Sequence, residues 1–468
     1  MAVAQVLLAI VLLSGVYYLF IRSRGTVRYL RGPPRPSVLL GNQRELRYQA
    51  EVGDLEFAWV REYGPTFKMG GCWGTDILAT ADPKALQYIM HTAGYHFPKN
   101  AMVAQSSANI MGWGIASVQG EVHQRHRKVM NPAFTAQQLR TFLPLFQRSA
   151  NRLTQKWKDE IQIGTKVFNV SRWLARLTLD AIGDAAFDYR FGALEDEGNV
   201  LSKCFENLFS DSVLYPSDWD TLFRALWAYI PAPILALTEY LPTREYKRFR
   251  HFKKLSQGIA KELIKEKESA LAESTSRDVM SVLVRSNQSE DTVRKLNEEE
   301  VLSQMATLML AGHETTASTT TWLLYELSRH PEDQTKIREE ILALRKRTGR
   351  KEFTIADMEA LEFTNACLKE TLRLYPIVAT LFRCSDRDDV IPLSTPVTNE
   401  KGETVSQVIV PKGQEIHIEI APYNRLPSVW GEDADKWNPK RFLDDSMKDK
   451  QTSLGVLANL MTFCMYPF

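Results

Sequence analysis

The sequence predicts a mainly α fold with a minor β-sheet, preceded by one N-terminal transmembrane helix. Helical periodicity dominates from about residue 121 to 370, with candidate helices over 137–161, 170–187, 244–271, 297–330, 332–346 and 357–375. Strand signals flank that stretch on both sides, at 66–80 and 389–420. Residues 2–21, "AVAQVLLAIVLLSGVYYLFI", carry no charge.

Local chemistry accounts for each element. Twenty uncharged helical residues rise about 30 Å, one hydrocarbon thickness. Arg22, Arg24, Arg28 and Arg31 follow and no acid precedes Glu45, so the C-terminal flank is expected in the cytosol. The run ends in Tyr-Leu-Phe-Ile and then arginine, not in a small-residue cleavage site, which favours an uncleaved anchor. "RGPPRPSVLLGN" (31–42) reads as a stiff proline spacer. "TFKMGGCWGTDILAT" (66–80) reads as a hairpin, and "DPKALQYIM" as a helix start with Asp82 as cap and Pro83 in the first position. Asn297 with Glu300 reads as a capping box that opens a helix of about 50 Å. "TNEKGET" and "VPKGQ" read as turns between late strands. The chain thus divides into a transmembrane signal anchor (2–21), a basic and proline-rich hinge (22–45) and one catalytic domain (46–468).

Composition narrows the function. With 58 basic and 56 acidic residues the formal net charge is +2, so no global field draws the protein to nucleic acid. Cys72, Cys204, Cys367, Cys384 and Cys464 are scattered and form no C-x-x-C pair, which argues against a disulfide framework or a structural zinc site.

Three groups of residues carry chemistry. In the middle of 297–330, Gly312, Glu314, Thr315 and Thr316 stand where a buried helix carries Leu or Ala. Glycine costs about 1 kcal/mol there relative to alanine, and a carboxylate is costly unless paired or used. Ala311 and Thr315, four apart, share a face that would admit a flat ligand. Glu370 and Arg373, three apart, can pair. A buried pair needs a further partner, for which Arg441 in "WNPKRF" is the candidate. In "HQRHR", His123 and Arg127 form an i,i+4 cationic pair able to hold two carboxylates. Singly, each group has a plainer reading: a core helix with a surface glutamate, a solvated ion pair and a solvated basic helix end.

Their order along the chain decides between these readings. H-x-x-x-R at 123, A-G-x-E-T-T at 311, E-x-x-R at 370 and N-P-x-R-F at 438 resemble the cytochrome P-450 family of haem-thiolate monooxygenases, microsomal type. "GEVHQRHRKVMNPAF", "LTLDAIGDAAF" and "VPKGQEI" resemble family segments as well, and the resemblance runs from about 31 to 463. It implies the P-450 fold, haem b as cofactor and electrons from NADPH through a cytochrome reductase. It also implies insertion of one oxygen of O2 into a lipophilic small molecule, on the endoplasmic reticulum membrane with the catalytic domain in the cytosol. By the same resemblance Ala311 and Gly312 lie over the haem, and Glu314 and Thr315 relay protons for dioxygen cleavage. Glu370, Arg373 and Arg441 form a structural charge triad. His123 with Arg127 holds one propionate, and Arg383 in "ATLFRCSD" holds the other. Segments 97–120, 219–233 and 377–381 line the pocket or its mouth, and "WAYIPAPILAL" (227–237) is expected to reach membrane lipid.

One departure stands out. The family continues with F-x-x-G-x-R-x-C-x-G, whose cysteine binds the iron. Phe463 matches the first position, but Tyr466 stands in place of the glycine and Phe468 in place of the arginine. The sequence as written stops two residues before the ligand position, and Cys464 falls six positions too early. No metal ligand is therefore assigned, and the chain as written is expected to be inactive. Two other readings stay open: a non-catalytic membrane protein that binds no haem, and a family member with non-oxygenating chemistry such as isomerisation or dehydration. Glu314 and Thr315 favour oxygen activation over the second.

Overall fold

The computed structural model describes residues 27–443 apart from 165–166, 196–199, 206–207, 209–215, 271–277 and 288–294, together with Gly15, Leu454, Leu457 and 459–463. The anchor expected at 2–21 therefore lies, Gly15 apart, outside the described residues, as does Cys464. Among the described residues no helix is long and apolar enough to cross a membrane.

Eleven helices concern the site: α1 (Asp54–Tyr63), α2 (Ala101–Met111), α3 (Gly120–Met130), α4 (Leu143–Gln162), α5 (Val170–Ile182), α6 (Asp218–Ala225), α7 (Arg244–Ala270), α8 (Val279–Asn287), α9 (Glu298–Arg329), α10 (Pro331–Thr348) and α11 (Glu362–Leu374). The strands are β1 (Thr66–Gly70), β2 (Asp76–Thr80), β3 (Thr380–Cys384), β4 (Asp389–Thr398), β5 (Thr404–Val410) and β6 (Glu415–Glu419). The class is mainly helical with two small sheets, as the sequence predicts.

β1 and β2 form the expected antiparallel hairpin, from Thr66 opposite Thr80 to Gly70 opposite Asp76. β6 joins β2 in parallel, with Leu78 opposite Ile416. β3 closes the far edge antiparallel to β6, with Arg383 opposite Ile416. Strands from both ends of the domain thus share one sheet, in the order β1-β2-β6-β3. Leu78, Ile416 and Ile418 are fully buried in it, which specifies the register, since a slip of one residue would turn them outward. β4 and β5 pair as a separate ribbon. β3 is not anticipated from sequence: it has five residues and exists through its pairing with β6. The helix expected over 357–375 is broken. Leu361 leaves helical backbone (φ −82°, ψ 72°) and is buried, and α11 starts afresh, its Phe363 and Thr364 N–H groups donating to the Glu340 carboxylate of α10 at 2.8 and 3.0 Å.

α9 runs through the domain. Its capping box is formed: Glu300 N donates to Asn297 Oδ1 and Asn297 N to Glu300 Oε2, both at 2.9 Å. Its N-terminal half is core, with Val301, Leu302, Met305, Ala306, Met309 and Leu310 all buried. α5 crosses it at Gly312, where an added Cβ would lie 2.7 Å from Ile182 Cδ1. The Thr178 hydroxyl of α5 lies 3.0 Å from the His313 carbonyl beside that crossing.

Candidate active site

α3 presents His123 and Arg127 on one face, and the fold brings two further cations to them. Lys99 and Arg383 pair across an isolated antiparallel β-bridge. Lys99 Nζ donates to the Val118 carbonyl at 3.0 Å, while Tyr95 Oη lies 3.4 Å from His123 Nδ1. His123 is buried. Burial first, then the positive fields of Lys99, Arg127, His126 and Arg383, push its imidazole down to about 4. Burial, reinforced by Arg383, brings Lys99 down to about 8. His123 is therefore neutral at pH 7, not the cation expected from sequence, and the charge of the cluster rests on Arg127, Arg383 and Lys99. Lys99 carries no signal of its own, being a lone lysine in "FPKN" just ahead of α2.

The other polar residues of α3 fix its position. His126 Nδ1 is 2.8 Å from Gln304 Nε2, its Nε2 is 3.2 Å from Glu300 Oε1, and Arg125 Nη1 donates to Glu300 Oε2 at 2.9 Å. Glu300 thus caps α9 and ties α3 to it, which holds Arg127 in place.

On α9, Ala311 is exposed and Thr315 half-buried. Thr315 Oγ1 donates to the Ala311 carbonyl at 2.6 Å, leaving its lone pairs able to accept. Gly312 points elsewhere, into Ile182, so its missing side chain admits α5 rather than opening the Ala311 face. Burial raises the Glu314 carboxyl, whose Oε1 is 3.8 Å from His313 Nδ1. His313 is buried against Phe205, ring centroids 4.7 Å apart, and burial pushes it down to about 4. Among the described residues no hydrogen bond links Glu314 to Thr315.

Glu370, Arg373 and Arg441 meet in the interior. Arg373 donates to both Glu370 oxygens at 2.8 Å, and Arg441 Nε lies 3.1 Å from each of them. Asn438 N adds a bond to Glu370 Oε1 at 2.8 Å. The remaining guanidinium hydrogens go to the carbonyls of Asn424, Ala434 and Lys436 from Arg373, and from Arg441 to those of Trp430 and Asp433 and to the Asp433 carboxylate, at 3.1 Å from Nη1. Glu370 and Arg373 are fully buried. Only such saturation offsets the desolvation of three charges.

The sequence that builds this arrangement has relatives. The family model for cytochrome P450 matches residues 31–458. The chain belongs to the cytochrome P450 family. This P450 is 33% identical over 461 residues to cytochrome P450 monooxygenase 128 of Postia placenta, covering 93% of this chain and 80% of that one. It is 31% identical over 452 residues to cytochrome P450 monooxygenase claQ of Ampulloclitocybe clavipes, covering 94% and 81%. By family it is a monooxygenase, and the family implies haem.

The residues present fit that group. A porphyrin carries two carboxylates on one edge, and Arg127, Arg383 and Lys99 form a cationic wall suited to them. Ala311 and Thr315 offer a low face on α9. Burial pushes the Cys72 and Cys384 thiols up to about 11 and Cys367 to about 12, and it raises Cys204 too. A cavity of about 340 Å³ brings Met102 together with Thr221 and Tyr229, from two of the three segments expected to line a pocket. Phe382 lines it too, just beyond the third segment, and Trp73 joins its wall to α6 by a bond from Nε1 to the Leu222 carbonyl at 3.0 Å.

Proposed function

We propose that this P450, where the family's cysteine loop is present, is a membrane-held monooxygenase of a lipophilic small molecule, supplied with electrons from NADPH by a reductase at the endoplasmic reticulum membrane, its catalytic domain in the cytosol. The balance is RH + O2 + NADPH + H+ → ROH + H2O + NADP+. The observation that carries it is the meeting of Arg127, Lys99 and Arg383 around a neutral His123, three cations from distant parts of the chain gathered where a dicarboxylate ligand would be held. Haem, when bound, supplies the activation of dioxygen. The chain's own residues do the rest. Arg127, Arg383 and Lys99 bind the carboxylate edge, with His123 able to donate one neutral hydrogen bond. Thr315 Oγ1 accepts and passes on a proton at the open face of α9. Glu314, its carboxyl raised by burial, holds a proton more readily than an exposed glutamate does. The Glu370–Arg373–Arg441 triad holds α11 against the loop that carries Arg441. Exposed Tyr229, Ile234 and Leu237 supply apolar contact with lipid.

The test uses membranes containing the chain extended through the family's F-x-x-G-x-R-x-C-x-G loop, together with an NADPH-dependent reductase, ¹⁸O2 and a panel of lipophilic small molecules. One ¹⁸O atom is expected in the product. Thr315→Ala is expected to retain haem and to divert electrons into hydrogen peroxide. A haem-loaded protein whose product takes its oxygen from water overturns the reading.

A further inference from the structure

We infer that Lys203, Arg244, Lys247 and His251 form a binding site for the phosphate headgroup of an anionic membrane phospholipid. They surround an open cavity of about 660 Å³ between the short helix Val200–Phe205 and the first turns of α7, with Arg248 and Cys204 also in its wall. Positions 244, 247, 248 and 251 follow i, i+3, i+4, i+7 spacing, so α7 turns one continuous cationic stripe toward the cavity. The neighbouring cations are used internally. Arg250 donates to the carbonyls of Glu239 and Leu241, Lys253 pairs with the Glu239 carboxylate at 3.0 Å, and Arg224 pairs with Glu245 at 2.7 Å. Among the described residues no carboxylate lines the cavity, and none pairs with Lys203, Arg244, Lys247 or His251. Like charges held around one opening favour a ligand that brings several anionic oxygens at once.

The same edge identifies the source of the phosphate. The segment leading into α7 exposes Ile234, Leu237 and Tyr240, at 57%, 62% and 71%, and the Arg250 bonds hold it against α7. Tyr240 precedes Arg244 by four residues. Apolar side chains followed at once by a cationic stripe match the depth order of a membrane surface, acyl chains and then phosphates. A free phosphate would account for the stripe and leave the apolar edge without a role. This inference rests on the membrane part of the proposed function.

Cys204 gives the cavity a reporter. The whole protein is placed in nanodiscs of phosphatidylcholine, with or without a minor fraction of phosphatidic acid, and maleimide labelling of Cys204 is followed by peptide mass spectrometry. Phosphatidic acid is expected to slow labelling of Cys204 several-fold and to leave Cys384 unchanged. Arg244→Ala and Lys247→Ala are each expected to raise the phosphatidic acid content needed for half-protection by about fivefold, the effect of one basic residue at an anionic surface. Equal Cys204 rates in the two discs overturn the site. Equal protection by inorganic phosphate in phosphatidylcholine discs also overturns it, in favour of a free-phosphate site. Flotation with phosphatidylcholine vesicles separates the two readings. A protein that floats but shows equal rates loses only the headgroup site, whereas one that floats neither with these vesicles nor with vesicles that also carry phosphatidic acid loses the membrane reading as well.

Discussion

Lys99 and Arg383 stand opposite one another across an antiparallel β-bridge, although α2 to α11 lie between them in the chain. Burying Lys99, and then facing it with a second cation, costs stability unless an anion joins them, and the depressed Lys99 records that cost. Its folded value of about 8 lies below the ordinary lysine value of 10.5, so between those limits the unfolded chain binds more protons. The penalty is complete below pH 8 and disappears as the pH rises to 10.5. The haem-free protein is expected to gain stability over that window, and Lys99→Met to flatten the gain. Urea unfolding at a series of pH values measures it, and equal slopes for the two proteins would refute the assignment.

The buried triad yields a larger effect. Glu370→Ala leaves Arg373 buried without a carboxylate and Arg441 with Asp433 alone, and is expected to cost about 3–5 kcal/mol. That is a large share of a typical domain stability of about 5–15 kcal/mol. The expected readouts are a marked drop in the denaturant midpoint and a low yield of soluble protein. A variant with the wild-type midpoint would show that the carbonyl acceptors and Asp433 suffice for both arginines.

Gly312 inverts the usual helix rule. Alanine normally stabilises a helix interior by about 1 kcal/mol over glycine. Here the new methyl would sit 2.7 Å from Ile182 Cδ1, and Gly312→Ala is expected to destabilise by about 1–3 kcal/mol. Ile182→Val in the same chain should recover part of that loss. A double-mutant cycle without coupling would mean that α5 shifts freely and that the glycine serves another purpose.

Glu300 joins two tasks in one carboxylate, and its substitution should register both. Hydrogen bonds from Arg125, Asn297 N and His126 hold its carboxyl below the usual carboxylate range against the opposing effect of burial. Its folded value lies below the unfolded one, so its contribution is present above the ordinary value of 4.5 and is lost as the pH falls through the folded value. Glu300→Gln is expected to remove this acid-side dependence and to cost about 1–2 kcal/mol at pH 7 through the weakened cap and the lost ion pair. Denaturation at pH 7 and on the acid side gives both numbers, and a variant that keeps the wild-type acid slope would exclude Glu300 as its source.

What the sequence reveals tracks how far apart in the chain the partners lie. The Asn297–Glu300 cap and the Glu370–Arg373 pair each span three residues, and local geometry alone makes them readable. Gly312 is a nearer case: one residue after Ala311, it lies about 100° further round a helix of 3.6 residues per turn, so it could not share the Ala311–Thr315 face. Lys99, β3 and the Glu340 carboxylate at the start of α11 left no local trace, because each acquires its role from a partner that folding supplies. The same holds for the neutral state of His123, set by burial, by Lys99 and Arg383 from two other segments and by its own neighbours on α3. Residue type alone suggested a cation.

The parallel pairing of Leu78 with Ile416 has a consequence for how the protein comes into being. β2 leaves the ribosome early, paired only with β1, and its other edge stays open until β6 follows. At roughly 5–20 residues per second that wait is on the order of half a minute. During it, a strand whose Leu78 is destined for the core offers free backbone N–H and C=O groups to any passing chain. Non-local pairing of this kind is slow even after release, since a long loop must close first. The nascent chain therefore depends on being shielded at this edge, and its yield in a cell should follow chaperone supply and translation speed more closely than the stability of the finished fold.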